Sequence, residues 1–148
     1  MPVSAKTKEA AAATAWRRIF DYIVATAAER VAVLDRLGIT PAESRALTSL
    51  DPDSGRSMRA LADEWACDPS NATWLVDRLE RQGMARRVPR EGDRRVKEVI
   101  LTAKGKRIRG ELLESLYAPP HDLLAMGLGD LEALSAAASK LPSRRPPA

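Results

Sequence analysis

Two apolar stripes with helical spacing follow each other in the middle of the chain. The first lies in residues 57–66, where Ser57 suits a helix start and the apolar positions recur at i, i+3, i+4 and i+7: Met58, Leu61, Ala62 and Trp65. The second lies between the start signal Asp68-Pro69 and the end signal Gly83, and comprises Ala72, Leu75, Val76 and Leu79. Because only a short turn separates them, the two helices share one core, as in a helix-turn-helix.

The second helix keeps a polar face once its apolar stripe is assigned to the core. This outer face consists of Ser70, Asn71, Thr73, Trp74, Asp77, Arg78 and Arg81. Small polar residues near the start of such a helix are where a recognition helix reads base edges in the major groove. The alternative is a solvated helix face with no partner.

A basic hairpin is predicted after the second helix. The β-prone runs Met84–Val88 and Arg95–Leu101 flank a turn-rich link at residues 89–94. The hairpin is rich in arginine: Arg86, Arg87, Arg90, Arg94 and Arg95. These charges repel one another unless an anion receives them, and DNA phosphates and the narrow minor groove are suitable receptors.

The order of these motifs resembles the MarR family of winged helix-turn-helix transcription regulators. The resemblance rests on Leu79-Glu80-x-x-Gly83-Met84, then Asp93-Arg94-Arg95, then Leu101-Thr102-x-x-Gly105. It implies that Asp93 orients an arginine that enters the minor groove, with Arg95 as the inserting residue and Arg94 as the alternate. It also implies that the second helix reads DNA through Ser70, Asn71, Thr73, Trp74 and Arg78. Trp74 is unusual at its position, and either contacts a thymine methyl or sugar edge or packs against a neighbouring element.

Further helices are predicted on both sides of this module. A long helix from about Thr7 ends before Gly38, and a short one capped by Thr40-Pro41 runs to Leu50. After the hairpin, Thr102 caps a helix to about Tyr117, and a last helix begins at Asp130. The predicted fold is mainly α with a small β wing. Residues 38–105 form the winged helix-turn-helix DNA-binding domain, and residues 1–37 and 106–148 form a helical dimerisation region.

The first helix carries an apolar stripe that the small central module is too short to cover. The stripe comprises Trp16, Phe20, Ile23, Ala27, Val31 and Leu34. The simplest solution is a homodimer in which the terminal helices of two chains pack about a two-fold axis. The alternative is a monomer whose first helix folds over its own last helix.

The distribution of charge favours a polyanionic partner. Residues 78–109 contain twelve Lys or Arg and four Asp or Glu, so they carry +8, whereas the whole chain carries +4. The rest of the chain is therefore at −4. A basic patch on a mildly acidic body is typical of a protein that binds double-stranded DNA. The alternative is a winged-helix interaction module that uses the same basic face on an acidic protein partner.

Several other classes of function lack the residues they need. The single histidine, His121, has no activated nucleophile near it in sequence, so we expect no catalytic site and no enzyme. We also expect no metal site and no cofactor, since His121 and the single cysteine, Cys67, are far apart. Cys67 is expected to be a small packing residue of the turn between the two helices. The alternative is redox control through Cys67, which would require an exposed thiol that ionises readily.

The chain also lacks membrane and secretion signals. No run of about eighteen apolar residues and no signal-peptide pattern is present, which predicts a cytoplasmic protein without a membrane partner. The family resemblance further implies a pocket for a small-molecule effector of unknown identity. Conceivable lining residues on the first helix are Trp16, Arg17, Arg18, Phe20 and Tyr22.

Overall fold

The computed structural model describes residues 5–142 and confirms the mainly helical class with a small sheet. The helices are α1 (Ala5–Ala25), α2 (Ala27–Leu37), α3 (Pro41–Ser49), α4 (Met58–Trp65), α5 (Pro69–Arg81), α6 (Ala103–Tyr117), α7 (His121–Leu124) and α8 (Leu128–Ala138). The strands are β1 (Arg56–Ser57), β2 (Ala85–Arg90) and β3 (Asp93–Leu101). Across residues 5–142, none of the helices combines the length and the apolar character that a membrane span requires. The expected outer ends of the dimerisation region, residues 1–4 and 143–148, lie outside the described residues.

One hydrophobic core lies beneath the helix-turn-helix and the wing. Its largest fully buried apolar side chains are Leu47, Leu50, Leu61, Val76, Leu79, Met84, Val99 and Leu112. Ile108 and Leu112 of α6 belong to this core, and Leu34 and Leu37 of α2 pack against it. The packing is therefore continuous across the predicted domain boundaries at residues 37/38 and 105/106. The division into a DNA-binding region and a dimerisation region stays a prediction.

The local signals for helix ends are confirmed. The hydroxyl of Thr40 accepts from the backbone N–H of Glu43 while the Glu43 carboxylate accepts from the N–H of Thr40, which is a complete capping box. Thr102 caps α6 by accepting from the N–H of Gly105. Gly38 and Gly83 both take the left-handed conformation, with φ of 68° and 72°, where the preceding helices end.

The prediction of one long helix from Thr7 to Leu37 is wrong, because the chain breaks at Thr26 into α1 and α2. The Thr26 hydroxyl donates to the carbonyl of Tyr22 at 2.8 Å, and the Arg30 guanidinium donates to the Thr26 hydroxyl at 2.9 Å. Arg30 also donates to the carbonyl of Ile23 near the end of α1. These side chains donate hydrogen bonds to backbone carbonyls at the end of α1, where the continuous helix is broken. The last helix also differs, because it begins at Leu128 rather than at Asp130.

The wing is an antiparallel sheet in the order β1-β3-β2, and its first strand was not predicted. β1 pairs Arg56 with Val99 and is only two residues long, too short for an alternating pattern. β2 and β3 run further toward the hairpin tip than predicted, so that Arg90 pairs with Asp93. Gly92, with φ of 84°, supplies the positive dihedral that the tight tip requires.

Two of the sequence motifs meet in one joint between α5, β3 and α6. The carbonyl of Met84 accepts from the backbone N–H of Thr102 at 3.1 Å, and the Thr102 hydroxyl donates to the carbonyl of Gly83 at 2.6 Å. Gly105 lies so close that an added β-carbon would overlap the Met84 carbonyl oxygen and reach within 2.8 Å of its carbon. The glycine is therefore required by close approach rather than by its own dihedral angles.

Replacement of Gly105 by alanine should strongly destabilise the protein. The backbone of Met84 has to move to admit the methyl group, and overpacking of this kind costs about 1–3 kcal/mol. Chemical denaturation followed by circular dichroism measures the loss. Gly110→Ala is the matched control in the same helix, since nothing lies within 4 Å of its added β-carbon. That control should gain up to about 1 kcal/mol of helix propensity, and equal stabilities for the two variants would contradict the joint.

Candidate nucleic-acid interface

The predicted reading residues lie together on the outer side of α5. Burial of Ala72, Leu75, Val76 and Leu79 turns the opposite side of the helix to solvent. There the structure places four exposed side chains, which we call the reading face: Ser70, Asn71, Thr73 and Trp74. The helix starts at Pro69, after an Asp68 with extended backbone whose side chain makes no capping hydrogen bond. The sequence therefore placed these residues correctly, while their contact with DNA remains a prediction.

Trp74 contacts Arg78 of its own helix, and the choice between a DNA contact and packing against a neighbouring element stays a prediction. Its side chain is 55% exposed, and the guanidinium carbon of Arg78 lies 5.1 Å from the centroid of the indole ring. This is a cation–π contact between residues four apart on α5. One face of the ring is thereby covered, and much of the side chain is left on the surface.

Arg78 is anchored from below by a buried carboxylate. Glu43 of α3 is fully buried, and its Oε1 atom accepts from Arg78 Nε at 2.7 Å and from Gln82 Nε2 at 2.9 Å. Its Oε2 atom accepts from the Thr40 N–H at 2.8 Å. Sequence reasoning missed Glu43, although the Thr40-x-x-Glu43 spacing is a capping-box signal. The reading helix is thus fastened to the first turn of α3.

These donors decide the charge state of Glu43. Burial raises the pKa of its carboxyl group, but the hydrogen bonds from the Thr40 N–H and from the Arg78 guanidinium, together with the charge of Arg78, outweigh burial. The resulting pKa lies below the usual glutamate value, so the carboxylate is ionised at neutral pH. The pair is internally compensated, which a buried charge requires.

Arg87 also has carboxylate partners within the fold. Its guanidinium pairs with Asp77 at 2.8 Å and with Glu80, and its backbone N–H donates to Glu80 at 2.7 Å. It further donates to the carbonyl of Thr73 at 3.5 Å. This clamp ties β2 to the exposed side of α5, a structural role that sequence reasoning missed. Contact of Arg87 with phosphate remains a prediction.

The wing arginines fall into two groups. Arg90 pairs with Glu98 at 2.6 Å. In contrast, Arg86, Arg94 and Arg95 are exposed, and none of them forms an ion pair with a carboxylate in residues 5–142. Together with the exposed Lys97 of β3, which also lacks a carboxylate partner among the described residues, these three supply uncompensated positive charge in the wing.

Asp93 acts on the backbone at the hairpin tip. Its carboxylate accepts from the backbone N–H of Arg95 at 3.1 Å, which is a local Asx-type contact. The family resemblance implied that this aspartate orients an arginine side chain. Here it holds the main chain from which the Arg95 side chain projects, and the role in the minor groove remains a prediction.

Two of the conceivable effector-lining residues line a common cavity. Arg18 and Tyr22 of α1 border an open cavity of about 530 Å³, closed on its other sides by α7 and α8. Trp16, Arg17 and Phe20 are absent from its lining, and Arg17 borders a different, smaller depression. Burial, followed by the nearby charge of Asp122, raises the pKa of Tyr22, so its hydroxyl is protonated at neutral pH. Cys67 is partly buried, and within the described part of the chain no three His, Cys, Asp or Glu residues cluster as metal ligands would.

Comparison with known proteins matches this arrangement to one family. A model of the MarR family matches residues 37–96. A MarR family protein from Bacillus stearothermophilus has the same fold, with 25% identity and a TM-score of 0.72 over 87% of this chain and 91% of that one. The chain is therefore similar to the MarR family over residues 37–96. The matched segment contains the reading face and the three wing arginines that form no ion pair among the described residues. It ends before the Leu101-Thr102-x-x-Gly105 motif.

Two further proteins are similar to this chain, one in part of its sequence and one in its fold. The HTH-type transcriptional repressor MdtR of Bacillus subtilis (strain 168) is 31% identical over 77 residues, which are 52% of this chain. The chain spans about half of that repressor's length, 50%. A mutant of S. aureus MepR bound to an oligodeoxyribonucleotide shares the fold at 19% identity, with a TM-score of 0.67 over 84% of this chain and 94% of that one.

Replacement of Glu43 by glutamine should lower the free energy of unfolding at neutral pH. The difference from wild type should be smaller in acid. The variant loses charge-assisted hydrogen bonds worth about 1.5–3 kcal/mol. Because the native pKa of Glu43 is lowered, its contribution is present above the unfolded value and is lost as pH falls through the native value. Urea unfolding of both proteins between pH 3 and 7, at about one-unit steps, measures the difference. Glu111→Gln, at an exposed carboxylate of α6, is the control, and a wild-type advantage that persists undiminished at the acid end would contradict the assignment.

Proposed function

We propose that this protein is a sequence-specific DNA-binding transcriptional regulator that acts as a repressor. One observation carries the proposal: a polar helix face and an arginine wing with uncompensated charge are fastened to each other through Arg87. The wing supplies cations that have no partner in the described fold, and the reading face supplies hydrogen-bonding groups beside them. An exposed combination of this kind suits a partner that presents both phosphates and base edges.

The proposed mechanism divides the work between the two elements. Arg86 and Arg94 bind phosphates and set the register without reading sequence. Arg95 enters the minor groove and responds to its width, with its backbone held by Asp93. The reading face on α5 lies in the major groove and contacts base edges. Arg78 and Arg87 support this face from within the protein, and their charges are largely compensated by carboxylates.

The names of two similar proteins also support a DNA-binding repressor. The B. subtilis relative is named as a transcriptional repressor, and the MepR mutant is described with an oligodeoxyribonucleotide bound. Repression through occupation of a promoter is the corresponding proposal for this chain. The alternative, an acidic protein partner for the basic face, has no specific observation in its favour.

A homodimer is proposed because the terminal helices expose apolar faces. Large apolar side chains of the described chain stay at least 43% exposed on these helices: Trp16, Ile19, Phe20, Ile23, Val24, Val31, Tyr117, Leu124, Leu128 and Leu134. Large apolar side chains that stay exposed on these helices suit an interface with a second copy. Two protomers related by a two-fold axis would place two reading helices about 34 Å apart, which suits a pseudo-palindromic site. The exposure of these side chains in the single chain supports a dimer over a monomer folded over its own last helix.

Release by a small molecule is the regulatory part of the proposal. The cavity beside Arg18 and Tyr22 adjoins the exposed faces of α1 and α8. A ligand there would act on the packing of the dimerisation helices. A change in the separation of the two reading helices would lower affinity for a site with two half-sites.

Replacement of Arg95 by alanine should weaken specific DNA binding by about 1–3 kcal/mol, because the variant loses its minor-groove contact. Fluorescence anisotropy with a duplex selected from a random pool by the wild-type protein measures the change. Arg107→Ala removes the same charge from α6, where Arg107 pairs with Glu111, and should bind almost like wild type. Equal affinities for wild type and the Arg95 variant would remove the wing from the mechanism, and absence of any selected duplex would favour the protein-partner alternative.

Replacement of Phe20 by glutamate should convert the dimer into a monomer. A carboxylate on the apolar face of α1 would have to be desolvated at the interface, which costs several kcal/mol. Sedimentation equilibrium at micromolar concentration measures the oligomeric state. Thr14→Glu places the same charge about a third of a turn around α1 and should remain dimeric. A monomeric wild-type protein would contradict the two-half-site mechanism.

A further inference from the structure

Trp74 stands out on the reading face because it is the one large apolar side chain among the four residues. Ser70 and Asn71 lie one turn before it and are small and polar. Its exposed fraction of 55% places much of the indole in solvent, in the second turn of the helix. If α5 enters a major groove, a large side chain that projects from this turn would reach the base edges.

One face of the indole ring contacts a side chain of the same helix. The guanidinium of Arg78 lies over one ring face at 5.1 Å. Arg78 is itself fixed, because its Nε donates to Glu43 at 2.7 Å and Glu43 is fully buried. The Oε2 atom of Glu43 is held by the Thr40 N–H. The contact therefore favours one orientation of the ring before a partner binds, which lowers the entropic cost of binding.

The chemistry of this side chain limits what it can recognise. An indole has one donor and no acceptor, so it cannot make the bidentate contacts that identify adenine or guanine. Its remaining surface is apolar and flat. The apolar group that B-DNA presents in the major groove is the C5-methyl of thymine. Arg78 adds little to phosphate binding, since its charge is already compensated by Glu43.

We propose that Trp74 reads the methyl group of a thymine in the major groove, and that Glu43 positions Trp74 for this contact through Arg78. The inference rests on the proposed DNA-binding function and deepens it. Trp74 is the contacting residue, whereas Arg78 and Glu43 are positioning residues. The thymine lies where the second turn of α5 meets the half-site.

The test uses the wild-type full chain and a duplex that this protein selects from a random pool. Each thymine of one half-site is replaced in turn by 2′-deoxyuridine, which pairs identically and lacks only the methyl group. We expect one or two positions at which affinity falls about fourfold, the effect of one buried methyl group. Trp74→Ala should bind the thymine and deoxyuridine duplexes equally at those positions. Trp74→Phe should keep part of the preference, because it retains an apolar ring and lacks the indole N–H.

The positioning role needs a readout that simple loss of stability would not change. Arg78→Lys keeps a cation for Glu43 but loses the planar group over the ring. Glu43→Gln removes the anchor of Arg78. Both variants, checked for folding by circular dichroism, should reduce the preference for thymine over deoxyuridine to less than about twofold. A merely structural role would weaken binding to the two duplexes by the same factor, and so would overturn the positioning claim.

The outcomes separate this inference from the proposed function. A wild-type protein that binds the selected duplex but discriminates at no thymine would overturn the methyl contact and leave the DNA-binding function intact. Loss of the preference in Trp74→Phe would assign recognition to the indole N–H and would also overturn it. Full discrimination by Trp74→Ala would exclude Trp74 as the reader. Failure to select any duplex would remove the proposed function itself.

Discussion

The backbone carbonyl of Met84 is the point at which the reading helix, the wing and the helix after the wing are held together. It accepts from the N–H of Thr102, and the absence of a side chain at Gly105 lets α6 approach it closely. The Arg87 clamp adds a second connection between β2 and α5. With both in place, the reading face and the wing tip keep one relative orientation. Two separate contacts can then be made on one duplex without ordering a flexible hinge.

The arginines of α5 and the wing fall into two groups with different roles. Arg78, Arg87 and Arg90 lie against carboxylates and stabilise the arrangement, whereas Arg94 and Arg95 extend from it without an ion pair to any residue the structure describes. A count of charges along the chain treats all of them alike. The local surplus therefore overstates the charge that is available to a polyanion. The uncompensated part includes Arg94 and Arg95 at the end of the hairpin, where a groove can receive them, and Arg86 near the start of β2.

Features with local causes could be predicted from the sequence, and those with distant causes could not. The caps at Thr40 and Thr102 and the left-handed Gly83 depend on a few neighbouring residues, so their spacing was enough. The break at Thr26 contains neither glycine nor proline, and the pairing of Arg56 with Val99 involves only two residues of a strand. The polar face of α5 followed from its apolar stripe. The partners of its arginines did not, because they depend on which elements tertiary packing brings together.

The account rests on electrostatic and groove contacts between the wing, the reading face and duplex DNA. The dependence of binding on salt tests this most directly, with fluorescence anisotropy of a selected duplex titrated at several potassium chloride concentrations. With three uncompensated wing arginines in each of two protomers, the logarithm of the binding constant should fall against the logarithm of salt with a slope of about −5. A slope close to zero would contradict the account, because the wing would then displace no counterions from DNA.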